Sequence, residues 1–185
     1  MTLTAQHTAR AGGSWCDIQG HLTFLYAQAE GRAVIAELGV RGGNSTCAFL
    51  AAIETAGSGQ LWSVDVASPG VPVSWHDLPY WHFLCADDTS QQAMDWLPPK
   101  LDLLFIDTSH GLDHTLAELT AYGPRVRSGG VILCHDTCWL PGDVETREPV
   151  GPVARALDVW CQAQPYELSW SNRAGSFGLG VIEVP

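Results

Sequence analysis

Acidic residues recur at the downstream ends of apolar runs in this chain. Glu37 lies in the run AVIAELG, Asp65 closes LWSVD, Asp87 and Asp88 follow WHFLCA, Asp107 closes LDLLFID, and Asp136 closes GGVILCHD. His135 precedes Asp136 and Thr137 follows it. One acid at a strand end is an ordinary turn former, but acids at five successive ends point to a shared site. Asp107, His135 and Asp136 combine two carboxylates with an imidazole, a set suited to a divalent ion such as Mg²⁺ or Mn²⁺. The plain alternative is that Asp136 caps its turn and His135 bonds across the strand end. His110, in IDTSHG just past Asp107, is a candidate base, because a neutral imidazole can take a proton near physiological pH. An ordinary loop histidine is the competing reading. His114 reads as a solvated helix residue, while His76 and His82 are candidates for a substrate mouth. The stretch CHDTC, residues 134–138, is no zinc site. Cys134 and His135 alternate along a strand and face opposite ways, and no second C-x-x-C pair completes a tetrahedron.

These ends must be held by a regular scaffold. Apolar runs at 33–39, 61–66, up to 86, 101–107 and 129–136 alternate with helical periodicity at 18–30, 45–55, 90–96, from Leu112 through Leu119, and around Val153, Leu157 and Trp160. Two final strands are expected near 166–170 and 177–184. Short apolar strands separated by helices mean β-α-β units and a mostly parallel sheet covered on both faces. Such sheets bind ligands outside the carboxyl ends of their strands, where the acids stand.

The chain of 185 residues is expected to form one domain, with residues 1–16 a flexible N-terminus. Hydrophobic residues make up 46% and charged residues 16%, a well-buried composition. A formal charge of −11 argues against nucleic acid or anionic lipid as partner. Six cysteines without paired spacing, no apolar leader and no membrane-length run give a cytoplasmic expectation. Of eight tryptophans, Trp75, Trp81 and Trp139 fall in or near loops above the strand ends and could wall a planar acceptor, whereas Trp160 belongs to the core. The polar loop 138–149 is a candidate lid.

The turn after the first strand, GVRGGNST, reads G-x-x-G-G. It is neither the dinucleotide G-x-G-x-x-G nor a P-loop. Glycines permit close backbone approach, yet Glu37 beside them would repel a pyrophosphate. Asp65 follows Gly43 by about 20 positions, the place at which a carboxylate takes ribose hydroxyls. A ligand with adenosine, a positive centre and no phosphate is S-adenosylmethionine (SAM). On AELGVRGGNST, the acid of SVDVAS, the ADD after the third strand, LLFIDTSHGLDHTLAEL and SGGVILCHDT, the chain resembles class I SAM-dependent methyltransferases. It looks most like small bacterial O-methyltransferases of the macrocin-type, cephalosporin-hydroxylase-like and catechol O-methyltransferase-like group. The resemblance runs from about Asp17 onward.

That resemblance implies a Rossmann-like, doubly wound seven-stranded sheet with helices on both faces and an antiparallel last strand. It implies that Glu37, Gly39 and Gly43 line the methionine side, that Ser45 binds its carboxylate, that Asp65 holds the ribose, and that Asp87 and Asp88 reach the adenine. Asp107 would face the reactive centre. Acidic metal ligands stand at these strand ends in related enzymes, but here His135 replaces an acid and Thr137 an amide. The expected activity is O-methylation of a small-molecule hydroxyl, on a natural product or sugar, by a chain that could act as a homodimer. N-methylation, non-methyl SAM chemistry and SAM binding without turnover remain open alternatives.

Overall fold

The computed structural model describes residues 1–13, 16–142, 144–171 and 175–185. Among these residues nine strands follow one another as β1 (Val34–Leu38), β2 (Gln60–Asp65), β3 (Trp81–Cys85), β4 (Leu101–Ile106), β5 (Val126–His135), β6 (Trp139–Leu140), β7 (Val144–Glu145), β8 (Glu167–Ser171) and β9 (Leu179–Glu183). Among the described residues six α-helices are interleaved: α1 (Leu3–Ala11), α2 (Leu22–Ala29), α3 (Asn44–Ala56), α4 (Gln91–Trp96), α5 (Leu112–Tyr122) and α6 (Gly151–Gln162). The main sheet has seven strands in the order β3-β2-β1-β4-β5-β9-β8. Strands β1 to β5 pair in parallel, and β9 runs antiparallel to both β5 and β8. The order reverses between β1 and β4, so a crevice opens there above the strand ends.

Side-chain alternation divides the core in two. Ile35, Leu61, Leu103, Phe105, Val131 and Leu133 face α1, α2 and α3. Ala36, Leu38, Val64, Leu104, Ile106, Ile132 and Cys134 face α4, α5 and α6. Both faces are apolar because both are covered, which is why these strands read as continuous hydrophobic runs.

The N-terminus departs from the expected flexible arm. Residues 3–11 form α1, opened by the Thr2 hydroxyl, which accepts the N–H of Ala5. Leu3 is buried against the α3 face, and the Glu54 carboxylate of α3 accepts its N–H at 3.0 Å. A helix with a single buried leucine and a mean polarity this high carries little periodic signal of its own. At the lower edge of the sheet, Asp102 accepts the N–H groups of Ala33 and Val34 and pairs with Arg127. That acid stitches the start of β1 to β5 and lies away from the strand ends. Among the described residues, no helix is long and apolar enough to cross a membrane.

Candidate active site

The crevice at the strand ends is a cavity of about 1200 Å³. Its wall runs from the β1–α3 turn (Gly39 to Gly42, Asn44, Ser45) past Asp65, Asp87 and Asp88 to Asp107, His110, His114 and Asp136, and closes on Trp139, Glu145 and Phe177. Seven lining residues are acidic, and Arg41 is the one permanent cation among those described. Arg41 is itself paired with Asp17 at 2.6 Å, so the cavity suits a positively charged ligand and opposes a phosphate-rich one.

Gly39 shows why the turn needs a glycine. Its φ is +89°, and a Cβ there would lie 1.9 Å from the carbonyl oxygen of Asp107. The bare backbone lets the end of β1 press against the end of β4, with Asp107 N–H donating to Leu38 O at 2.9 Å. The Asp65 carboxylate steadies the same turn, accepting from the N–H groups of Val40 (2.8 Å) and Arg41 (2.9 Å) with one oxygen and from Ala67 with the other.

Glu37 and Gly43, both expected on the cofactor side, do not line the cavity. Glu37 shares the strand face of Ile35, so its side chain runs under the first turn of α3 and is fully buried. It accepts from the hydroxyls of Ser45 (2.7 Å), Thr46 (2.9 Å) and Ser63 (2.6 Å). Burial outweighs those three donors and pushes its pKa up to about 7. Ser45 reaches the wall, but its hydroxyl is committed to Glu37. Gly43, at φ +71°, backs onto Val71 and Trp75, where an added Cβ would lie 2.4 Å from Val71. It allows the 67–75 loop to pack down and does not line the cavity. Trp75 and Trp81 are core residues, and Trp81 donates its indole N–H to Ser63. His82 lies 2.7 Å from the Gln60 side-chain oxygen and packs at a tilt on Trp62, and His76 packs on Trp81. Neither histidine reaches the mouth, and Thr137 is buried off the wall. Of the three loop tryptophans only Trp139 lines the cavity, with its ring edge-on to His110 at 5.2 Å.

The expected chemical cluster does assemble, with His110 added to it. His135 Nδ1 lies 2.9 Å from Asp136 Oδ2 and 3.4 Å from Asp107 Oδ1. His110 Nε2 lies 2.9 Å from the same Asp136 oxygen and 3.6 Å from the same Asp107 oxygen. Burial opposes charge at all four groups, but the mutual attraction wins. The two imidazoles hold Asp107 and Asp136 below the usual carboxylate range. The carboxylates raise His135 well above its ordinary value and His110 to about 9. The donor atoms of Asp107, His110 and Asp136 lie within 4.8 Å of one another, and His135 Nδ1 faces the same carboxylates. Two carboxylate oxygens with imidazole nitrogens are a donor set that fits a divalent ion.

Backbone strain collects here too. Among the described residues, four non-glycines have positive φ: Arg41 (50°), His110 (56°), Asp136 (60°) and Phe177 (48°). All four line the cavity. Left-handed backbone costs an L-residue about 1 kcal/mol or more, so the surrounding fold holds these groups against their preference.

A second cluster lies on the adenine-expected side. His114 Nε2 is 2.9 Å from Asp88 Oδ1 and 3.8 Å from Glu118 Oε1, and His114 lines the cavity instead of facing solvent as its position suggested. Glu118 is fully buried and accepts from the Thr108 hydroxyl at 2.8 Å. The sequence offers one signal for this pair, the i, i+4 spacing of His114 and Glu118 on α5. The partner Asp88 comes from a distant strand end.

Comparison with known proteins bears on the family and the fold. The family described as "Methyltransferase domain" matches residues 36–137, just over half of the chain. Among solved structures, the O-methyltransferase from Bacillus cereus in complex with SAH shares 17% identity and a TM-score of 0.63, over 99% of this chain and 89% of that one. The SAH-bound methyltransferase PaMTH1 of Podospora anserina shares 14% and a TM-score of 0.67, over 100% and 88%. MycE of the mycinamycin biosynthetic pathway, bound to Mg and SAH, shares 18% and 0.67 over 98% of this chain, which spans only 53% of MycE. No curated protein matches the sequence. The fold and its site define a class I, Rossmann-like methyltransferase. The chain belongs to the methyltransferase-domain family, whose chemistry draws on SAM.

Proposed function

We propose that this methyltransferase transfers the SAM methyl group to a hydroxyl of a small molecule, on a natural product or a sugar. The carrying observation is the placing of His110 on the cavity wall with its Nε2 2.9 Å from Asp136 and 3.6 Å from Asp107. An alcohol or phenol needs its proton removed as the new C–O bond forms, and His110 is the exposed imidazole of the cluster, with 31% of its side chain accessible against 1% for His135. The Bacillus cereus O-methyltransferase structure, whose fold this chain shares, supports the O-methyl reading.

In the free protein the carboxylates keep His110 protonated, which suits an acid and not a base. A cation brought beside Asp107 disfavours the imidazolium, because like charges repel. Binding of a sulfonium ligand would therefore lower the His110 pKa toward the range in which a neutral imidazole accepts a proton. Asp107 and Asp136 then stabilise the imidazolium as it re-forms during transfer. Gly39 and Asp65 fix the turn against which SAM would lie, and Trp139 and Phe177 stand on the same cavity wall. SAM supplies the electrophilic methyl group, with a thioether as leaving group. Asp107, His135 and Asp136 would hold a divalent ion, whose contribution would be to lower the pKa of the acceptor hydroxyl.

Calorimetric titration of SAM into chelator-treated protein, with and without Mg²⁺ or Mn²⁺, tests this reading. Micromolar binding is expected, lost in Asp65→Ala because that carboxylate both faces the cavity and anchors the turn. A metal-dependent gain would support a metal at Asp107 and Asp136. Absence of SAM binding under every condition would overturn the proposal.

A further inference from the structure

Ser176 is a meeting point of distant segments. It is 1% exposed, and its hydroxyl accepts the N–H of Gly20 at 2.8 Å. Its carbonyl oxygen lies 3.0 Å from His135 Nε2 and 3.1 Å from His21 Nε2. A carbonyl oxygen only accepts, so His135 Nε2 carries a hydrogen. The other ring nitrogen, Nδ1, is thereby directed to Asp136 and Asp107.

On the opposite side of the same turn, one carboxylate gathers three consecutive N–H groups. Glu145 Oε2 accepts from Gly175 at 3.2 Å, and Oε1 accepts from Ser176 at 3.0 Å and Phe177 at 3.2 Å. The Phe177 N–H and the Ser176 carbonyl are the two ends of a single peptide group. One planar amide thus carries the Glu145 carboxylate on its hydrogen and the His135 imidazole on its oxygen. A carboxylate drawing on an amide N–H makes the carbonyl oxygen a stronger acceptor, as hydrogen bonds in chains polarise one another. Glu145 also ends β7, the second strand of a small hairpin whose first strand carries Trp139. Trp139 and Glu145 both line the cavity, and Trp139 packs edge-on to His110.

We propose that Glu145 is a positioning residue that couples the seating of the β6–β7 hairpin over the cavity to the orientation of His135, through the 176–177 peptide. With the hairpin seated, the amide is polarised, and His135 is held with Nδ1 on the carboxylate pair. With the hairpin lifted, the amide loses its carboxylate and the ring is no longer fixed. The proposal rests on the methyltransferase reading for its purpose, but the coupling itself is a property of the folded chain. A merely structural Glu145 would tie the hairpin to the 175–177 turn and leave the ring of His135 unaffected.

The test uses the full chain labelled with ¹⁵N-histidine, in chelator, as wild type, Glu145→Gln and Glu145→Ala. The His135 Nε2–H signal is assigned by its loss in His135→Asn, and its exchange with water is read by NMR. Backbone hydrogen exchange of residues 138–146 is followed in parallel, and SAH affinity by calorimetry. Replacing a charge-assisted bond by a neutral one is expected to speed Nε2–H exchange by about tenfold in Glu145→Gln and further in Glu145→Ala. SAH affinity is measured for each variant so that ring-proton exchange is compared at equal saturation. Ring-proton exchange equal to wild type in both variants would overturn the coupling, whether or not the hairpin loosens. The comparison is repeated without SAH. A wild type that fails to bind SAH would count against the methyltransferase reading alone, and the ring-proton result would still decide the coupling.

Discussion

Two clusters of buried acid and histidine flank one cavity, and they resolve the cost of burial in opposite ways. At Asp107 and Asp136, two imidazoles face two carboxylates, and all four groups are driven toward the charged form. At Glu118, burial is the largest influence and the neighbouring Asp88 adds to it, so the carboxyl is pushed up to about 9 and is neutral at physiological pH. Asp88 is raised as well, with His114 pulling the other way. The difference is one of partner number. Where each carboxylate has a cation, the pair stays ionised. Where two carboxyls share one half-exposed imidazole, one of them keeps its proton.

The largest expected effect breaks the charged cluster. Asp107→Asn removes a carboxylate that both histidines face, and methyl transfer, measured as SAH formed per minute with a competent acceptor, should fall by about 10³-fold. The pH at which His110 titrates, read by NMR, should also drop from about 9, because one of its two carboxylate partners is gone. A variant of wild-type rate would remove Asp107 from the chemistry.

A smaller effect probes the second cluster. His114→Ala leaves Asp88 without its imidazole, and the expected cost is about 1–3 kcal/mol in denaturant stability. Activity at saturating SAM should change far less than in Asp107→Asn. An equal loss of activity in both would abolish the distinction between a chemical and a structural cluster.

The smallest effect, read at pH 5, is Glu118→Gln. A protonated carboxyl and an amide are both neutral, so stability at pH 5 should change by less than about 1 kcal/mol. The pH dependence differs in sign. A carboxyl whose folded pKa is raised contributes stability fully below its unfolded pKa, and loses it as pH rises through about 9. The glutamine variant lacks that loss. Its melting temperature should exceed the wild type's at pH 9 by at least about 2–4 °C, the shift expected per kcal/mol in a chain of this size. His110, raised to about 9, adds a loss of the same sign between about pH 6.5 and 9 in both proteins. A constant difference between the two melting curves from pH 5 to 9 would mean that Glu118 is ionised throughout.

The sheet was legible because each central strand is covered on both faces and so appears as an unbroken apolar run. The chemical cluster was legible because Asp107 and Asp136 end adjacent parallel strands, whose register sets Ile106 beside Cys134. Glu37 misled for a physical reason. An acid near a strand end reads alike whether it faces a crevice or turns under the next helix, and only the partners Ser45, Thr46 and Ser63 tell the two apart. Ser63 comes from the neighbouring strand, opposite Glu37 in the β1–β2 register. His114 and the Ser176 carbonyl were hidden more deeply. The partners of each lie far away in sequence, Asp88 for the first and His21 and His135 for the second. No local pattern records contacts of that range.

The acidic lining also bears on how the enzyme would turn over. Before transfer, the bound cofactor is a sulfonium; afterwards it is an uncharged thioether. In the proposed reaction a wall carrying Asp65, Asp87, Asp88 and Asp107 should hold the first more strongly than the second, so the spent cofactor is expected to leave more readily than the fresh one. Screening by salt should erode that preference, and the ratio of SAM to SAH affinity measured from low to high ionic strength reads it directly. A ratio unmoved by salt would show that the acids serve the fold and not the exchange of cofactor.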